Sequence, residues 1–213
     1  GSTLSAGDKH LTDIAVFASA EFIFGNLKVR PGVRYSYNSL FETIPTPSIN
    51  FAYQVNEQTQ LRWSYGRGFR APSIRELYHE FIDSNHNILG NDELTPENSH
   101  NINLDATHEL NQVPVTLSVS AFYNEINDGI NILTPEGNSA TTYVNISTNK
   151  TLGGNFRADY KGNSLNAGVG LSHIGRYQAL RDDDNVPDFV YATEVVARSQ
   201  YTFNQLRLTL SAF

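Results

Sequence analysis

Alternation is the feature that most constrains this chain. Apolar residues recur at every second position, segment after segment, and a 3.6-residue period is nearly absent. Between 101 and 110, Ile102, Leu104, Ala106, His108 and Leu110 share one parity, and Asn101, Asn103, Asp105, Thr107 and Glu109 share the other. Val115, Leu117, Val119, Ala121 and Tyr123 repeat the pattern, with Thr116, Ser118 and Ser120 between them. Successive side chains of an extended strand point to opposite faces, so each segment is a strand with one greasy and one polar face. The pattern predicts ten strands, at 13–24, 27–37, 47–55, 60–70, 99–110, 115–126, 140–161, 164–177, 189–203 and 206–213.

Two all-β architectures fit two-faced strands. In a soluble β-sandwich, such as a binding or adhesion module, the apolar faces meet in a core. In an outer-membrane barrel they meet lipid, and the polar faces line the lumen. Three features favour the barrel. Many strands approach or exceed the roughly 9–11 residues a tilted strand needs to cross a bilayer. The connections alternate short and long: 25–26, 56–59, 111–114, 162–163 and 204–205 are tight, whereas 38–46, 71–98, 127–139 and 178–188 are extended. Short turns on one rim and long loops on the other is the barrel rule. Aromatics gather near strand ends, at Phe22, Phe24, Tyr35, Tyr37, Tyr53, Tyr123, Tyr177, Tyr201 and Phe203, as interfacial girdles require.

Composition removes other classes. No apolar run approaches 18 residues, so no helix crosses a membrane. Cysteine is absent, which excludes disulfides, thiolate metal sites and a cysteine nucleophile. Fifteen Lys and Arg against 22 Asp and Glu give a net charge of -7, the wrong sign for nucleic acid. There is no Gly-x-Ser-x-Gly elbow, zinc-binding helix or phosphate loop, so no catalytic residue and no enzyme activity are expected. Gly1-Ser2, in a chain without methionine, reads as a scar or processed end, setting 1–12 (with an outer-loop remnant) apart from a barrel region at 13–213. If the tight turns are periplasmic, the strand at 206–213 runs outward. Phe213 also falls out of phase with Leu206, Leu208, Leu210 and Ala212. The expectation is therefore an interior block of strands with partners on both sides.

The most specific stretch begins at Gly66-Arg67-Gly68-Phe69-Arg70-Ala71-Pro72-Ser73-Ile74-Arg75-Glu76-Leu77-Tyr78 and resumes at Gly90-Asn91-Asp92-Glu93-Leu94-Thr95-Pro96-Glu97-Asn98-Ser99. In both halves the chain resembles the TonB-dependent outer-membrane receptors, with Asp92 where the family usually has proline. Tyr143-Val144-Asn145-Ile146 followed by Gly153-Gly154-Asn155-Phe156 is similar to a further family strand, with Asn155 at a departure from the usual pattern. Physically the motif reads as scaffolding. Pro72 stops strand pairing, and Ser73 or Pro72 opens a helical turn over 74–81. Gly90-Asn91 supplies a turn with positive φ.

The resemblance implies an antiparallel up-and-down transmembrane barrel of roughly 22 strands, of which this chain is a partial barrel of about ten strands without the plug. It implies a bacterial outer-membrane location and TonB-dependent uptake of a scarce nutrient: haem, a siderophore–iron complex or a corrinoid such as cobalamin. It implies outer-membrane lipid, the receptor's own plug, the TonB protein and, in some members, a surface lipoprotein as partners, and no nucleic acid. The motif scaffold would be Phe69, Arg70, Ala71, Pro72, Glu76, Tyr78, Gly90, Asn91, Leu94, Pro96 and Glu97. Haem receptors of the family place an iron-binding histidine between the two halves. His86 is the first candidate and His79 the second, since neutral imidazole is a good axial ligand. No intrinsic cofactor is expected; haem or another metal chelate would be cargo. Asp182, Asp183 and Asp184 form an oxygen-rich run that resembles a weak Ca²⁺ site without the EF-hand spacing. Arg30, Arg34, Arg62, Arg67 and Arg70 are expected on or near the polar, lumenal faces. A porin would share the barrel pattern but not the motif.

Overall fold

Alternation is realised as an antiparallel meander. The computed structural model describes residues 2–4, 9–83, 87–134, 140–179, 189–203 and 208–212. Its elements are β1 (Ser2–Leu4), β2 (Asp13–Ser19), β3 (Phe22–Phe24), β4 (Leu27–Asn38), β5 (Thr46–Asn56), β6 (Thr59–Arg70), α1 (Ile74–Tyr78), β7 (His79–Ile82), β8 (Asn87–Leu89), β9 (Glu97–Glu109), β10 (Val115–Leu133), β11 (Thr141–Lys161), β12 (Leu165–Ala179), β13 (Val190–Phe203) and β14 (Leu208–Ala212). The wall runs β2/β3, β4, β5, β6, β9, β10, β11, β12, β13, β14, each strand antiparallel to the next. A small outer sheet, β1–β7–β8, joins the wall where β8 lies parallel to β11 at Thr141 and Thr142.

Register makes the two faces continuous from strand to strand. Leu27, Tyr53, Leu61, Ala106, Val119, Phe156, Leu171 and Val195 are cross-strand partners along one face. One residue further on, Lys28, Ala52, Arg62, Asp105, Ser120, Asn155, Ser172 and Glu194 form the matching row on the other. A slip of one residue in any strand would mix the faces.

Neither face is covered. Phe17 is 83% exposed and Val195 67%. The described strands make a single sheet with no second sheet across from it. That overturns the β-sandwich alternative, in which the apolar faces would bury one another. The buried apolar residues, Leu77, Leu94, Ala140 and Pro72, all lie in the outer loops. The wall thus has no core of its own, and its apolar face needs an apolar solvent, as a barrel wall has in lipid.

Several boundaries differ from the sequence reading. The first strand breaks into β2 and β3, although their register against β4 is unchanged across the gap. The break lies opposite Pro31, which has no N–H to donate; its carbonyl still accepts from the Ala20 N–H at 3.2 Å. β10 continues to Leu133 where the strand was expected to stop at 126, which shortens the following loop. The expected helix over 74–81 is one turn, and His79–Ile82 is strand. Tight links at Gly25-Asn26 and Glu57-Gln58 are as expected, with Gly25 at φ +58. Phe213 and the turn at 204–205 lie outside the described residues.

Leu104 sits about 13 Å up the wall from the tight-turn rim, near the middle of an apolar band about 25 Å tall. In the full-length receptor, Leu104→Arg is expected to cost about 2–4 kcal/mol in lipid, whereas Asn103→Arg on the opposite face costs much less. Urea unfolding of the two variants in lipid vesicles measures the difference.

Candidate functional site

The two halves of the sequence motif meet at the outer rim. β6 ends at Arg70, and Ala71-Pro72 turns the chain inward, with Pro72 fully buried. Ser73 caps α1: its hydroxyl accepts from the Glu76 N–H at 3.3 Å, and the Glu76 carboxylate accepts from the Ser73 N–H at 2.7 Å. This reciprocal capping box satisfies donors that a five-residue helix leaves open. Leu77 packs inward at 3% exposure, and Lys9 lies 4.6 Å over the Tyr78 ring.

Arg70 ties the halves together. Its Nε and Nη2 donate to the two oxygens of Glu97 at 2.6 and 2.7 Å, while Nη1 donates to Glu76 at 3.0 Å. The Arg70–Glu97 pair is bidentate, which fixes orientation as well as distance. Glu97 Oε1 also accepts from the Ile130 N–H at 2.7 Å, so the clamp reaches β10.

Gly90 closes the loop from the other side. Its N–H donates to the His79 carbonyl at 2.6 Å, and the Asn91 N–H donates to the Glu76 carbonyl at 2.9 Å. The expectation of positive φ at Gly90-Asn91 is not met; neither residue adopts it. Glycine is required instead by proximity, because a Cβ at Gly90 would lie 2.7 Å from the backbone of Leu77 and Tyr78. Backbone atoms cannot rotate away as a flexible side chain could.

Asn91 and Asn145 finish the brace. Asn91 Nδ2 donates to the Tyr143 carbonyl at 2.9 Å. Asn145 Oδ1 accepts from the Thr95 N–H at 2.8 Å, while its Nδ2 donates to the carbonyls of Thr95 at 2.9 Å and Asp128 at 2.5 Å. Leu94 is buried between these anchors at 3% exposure. Phe69 and Pro96 flank the clamp on β6 and just before β9. The long loop is therefore stitched to the neighbouring hairpin at both ends.

Partial burial pushes the Glu76 carboxyl upward. The hydrogen bonds from Ser73 and Arg70 outweigh it and hold the group below its ordinary value of 4.5.

The candidate ligands fare differently. His79 closes α1, its ring stacked on Phe81 at 6.2 Å between centroids. His86, Asp182, Asp183 and Asp184 lie outside the described residues. Among the described residues no group of three His, Asp or Glu side chains is placed to hold a metal. Arg30, Arg34 and Arg62 share the polar face, Arg30 pairing with Glu21 at 2.6 Å. Arg67 does not: it has the parity of Leu61, Trp63 and Tyr65 and stands opposite His100 on the outward face. Asn145 was legible only as part of a family motif; its bracing role depends on a partner 50 residues away.

A family model described as "TonB dependent receptor-like, beta-barrel" matches residues 1–212. The chain belongs to this family. Its place is the bacterial outer membrane, and the family consists of receptors and transporters. Curated relatives include a vitamin B12 transporter BtuB of Vibrio vulnificus, 26% identical over 58% of this chain and 18% of its own. The BtuB of Photobacterium profundum is 29% identical over 53% of this chain and 17% of its own. The chain thus spans less than a fifth of these relatives. Similar solved structures include an FrpB iron transporter from Neisseria meningitidis, with TM-score 0.71 and 17% identity, covering 94% of this chain and 32% of that one. The siderophore receptor PirA from Pseudomonas aeruginosa gives TM-score 0.65 and 17% identity, covering 92% and 43%. At these identities the structures speak for the fold alone.

Two outcomes test the brace in the full-length receptor. Glu97→Gln weakens both the Arg70 and Ile130 contacts, and amide exchange over Ile74–Tyr78 is expected to quicken roughly tenfold. A carboxyl depressed on folding contributes stability that is complete above its unfolded pKa and lost as pH falls through the folded one. Protection of α1 should therefore hold from pH 7 to 5 and decline only on acidification below 4.5; exchange mass spectrometry across this range reads it.

Proposed function

We propose that this chain forms part of the wall and outer rim of a TonB-dependent receptor that imports a scarce, metal-bearing nutrient. The braced outer loop is the observation that carries the reading: Arg70, Asn91 and Asn145 anchor its two ends, 71–78 and 90–96, at the outer rim. A diffusive porin gains nothing from such a brace, whereas a receptor that must capture dilute cargo does. In this reading the strands supply the wall and the outer loops the capture surface. A plug filling the lumen supplies the gate, and the TonB protein supplies energy from the inner membrane. A surface lipoprotein assists some members of the family in capture. No catalytic role is assigned.

The curated relatives are named for vitamin B12, itself a bulky metal complex, which favours cargo of that kind. Haem is the more specific version of this reading, supported by histidines at 79 and 86 between the motif halves. His86 is the better ligand, because the His79 ring is already stacked on Phe81.

Uptake by the full-length receptor in cells is the primary test. Accumulation of labelled cyanocobalamin, a ferric siderophore or haemin should cease when TonB is deleted; accumulation that persists contradicts the reading. Haemin titration of the detergent-solubilised receptor then tests cargo. A saturable Soret shift lost in His86→Ala and kept in His79→Ala supports haem, and no shift at micromolar haemin removes it.

A further inference from the structure

The chain's charge is split between its outer end and its wall. Thirteen acids against three bases fall in 1–12 and in the long connections 38–46, 71–96, 127–139 and 178–188, a net charge of -10. Nine acids against twelve bases remain for the rest of the wall and its tight turns, a net of +3. The whole acidic excess therefore belongs to the outer end. Glu42, Asp92, Glu93 and Asp128 are exposed there, and none of the four makes an ion pair among the described residues.

Below this mouth the lumenal lining is rich in uncharged amides. Asn50, Ser64 and Asn103 form the cross-strand row above Asp105, and Gly66, Asn101 and Asn124 form the next. Asn103 Nδ2 donates to Ser64 Oγ at 3.3 Å, and Asn101 Nδ2 donates to Asn124 Oδ1. Each side-chain amide carries two hydrogens and two acceptor lone pairs, more than these contacts use. Bases do not converge here. Arg70 is held by Glu97 and Glu76. Arg34 on β4 and Arg176 on β12 share the lumenal face. They lie six strand spacings apart, about 29 Å along the sheet at roughly 4.8 Å per strand.

A chelate with several negative charges is poorly matched to this arrangement. Like charge at the mouth lowers its rate of encounter, and Arg34 and Arg176 are too far apart to share it. A neutral complex meets no such barrier and can bond to amides without desolvating a charge. We propose that the mouth selects against polyanionic chelates, so that the cargo is an uncharged or weakly charged metal complex recognised through amide and hydroxyl hydrogen bonds. This inference rests on the receptor reading and narrows it. Corrinoids and ferric trihydroxamates are admitted. Haemin is admitted too, since its ferric iron offsets part of the charge of its propionates. A ferric tris-catecholate, a trianion, is not.

The test is uptake by cells making the full-length receptor, with and without TonB, offered cyanocobalamin, a ferric trihydroxamate, haemin or a ferric tris-catecholate. TonB-dependent uptake of one or more of the first three, and none of the tris-catecholate, is expected. TonB-dependent uptake of the tris-catecholate overturns the charge inference and leaves the receptor reading standing. TonB-dependent uptake of none of the four overturns both. Competition in detergent reads the cause. At low salt, excess tris-catecholate should displace the accepted probe about tenfold better from the triple variant Glu42→Gln, Asp92→Asn, Glu93→Gln than from the parent. The difference should vanish at about 1 M salt, where the screening length is roughly 3 Å. Equal displacement from variant and parent at low salt overturns the inference without reference to uptake.

Discussion

Inside lipid there is no water to satisfy a backbone N–H or C=O, so every such group must find a partner in the chain. The structure follows from that demand. The wall strands pair with their neighbours in one antiparallel ladder, and proline is nearly absent from its middle. Where Pro31 does intrude, β2 and β3 part locally while the register is kept on both sides. Because pairing fixes register, it also sorts side chains: from Leu27 to Val195 an apolar row and a polar row lie side by side across the middle of the wall, and among the described residues charged side chains reach the outward face only towards the outer rim, at Arg67, Glu125 and Lys150.

The same demand explains where packing occurs. A wall with lipid on one side and a polar lumen on the other buries little of itself, and among the described residues the buried apolar side chains sit in the outer loops. There water is available and regular pairing ends, so the loop must be held by side chains. Arg70 serves two carboxylates, Glu97 serves a guanidinium and a backbone N–H, and Asn145 serves both polar groups of Thr95. Each anchor joins segments far apart in sequence. Function, in this account, is placed on the part of the molecule that is rigid by cross-bracing rather than by pairing.

Much of the wall was legible in the sequence because one physical rule, the two-residue period, governs it. Legibility failed where a local signal competed with a distant partner. Asn127-Asp128-Gly129 was expected to open a long loop after a strand ending at 126. Instead β10 runs through it, Asp128 taking φ +56 while Asn127 and Gly129 keep their register with Thr148 and Ile146. Asn145, 17 residues away, steadies that kink through the Asp128 carbonyl. Gly90 looked like a turn glycine and is a close-approach glycine, which only the position of Leu77 reveals. Arg67 was grouped with the lumenal arginines by charge, although its parity places it outside. The capping box at Ser73 and Glu76 was partly readable, since three-residue spacing is local. The clamp from Arg70 to Glu97 was not, since its partners are 27 residues apart.

The central claim is that this wall turns alternate residues to lipid and to the lumen. This chain has no cysteine, so single cysteines can be introduced into it one at a time. The decisive measurement is a scan of 101–107 on β9 in the full-length receptor, in native outer membranes, with a membrane-impermeant maleimide and a lipid-soluble one. The account predicts that 102, 104 and 106 react only with the lipid-soluble reagent. Positions 101, 103, 105 and 107 should react with the water-soluble one once the lumen is opened to it. Reactivity without a two-residue period, or with the two sets exchanged, would contradict it.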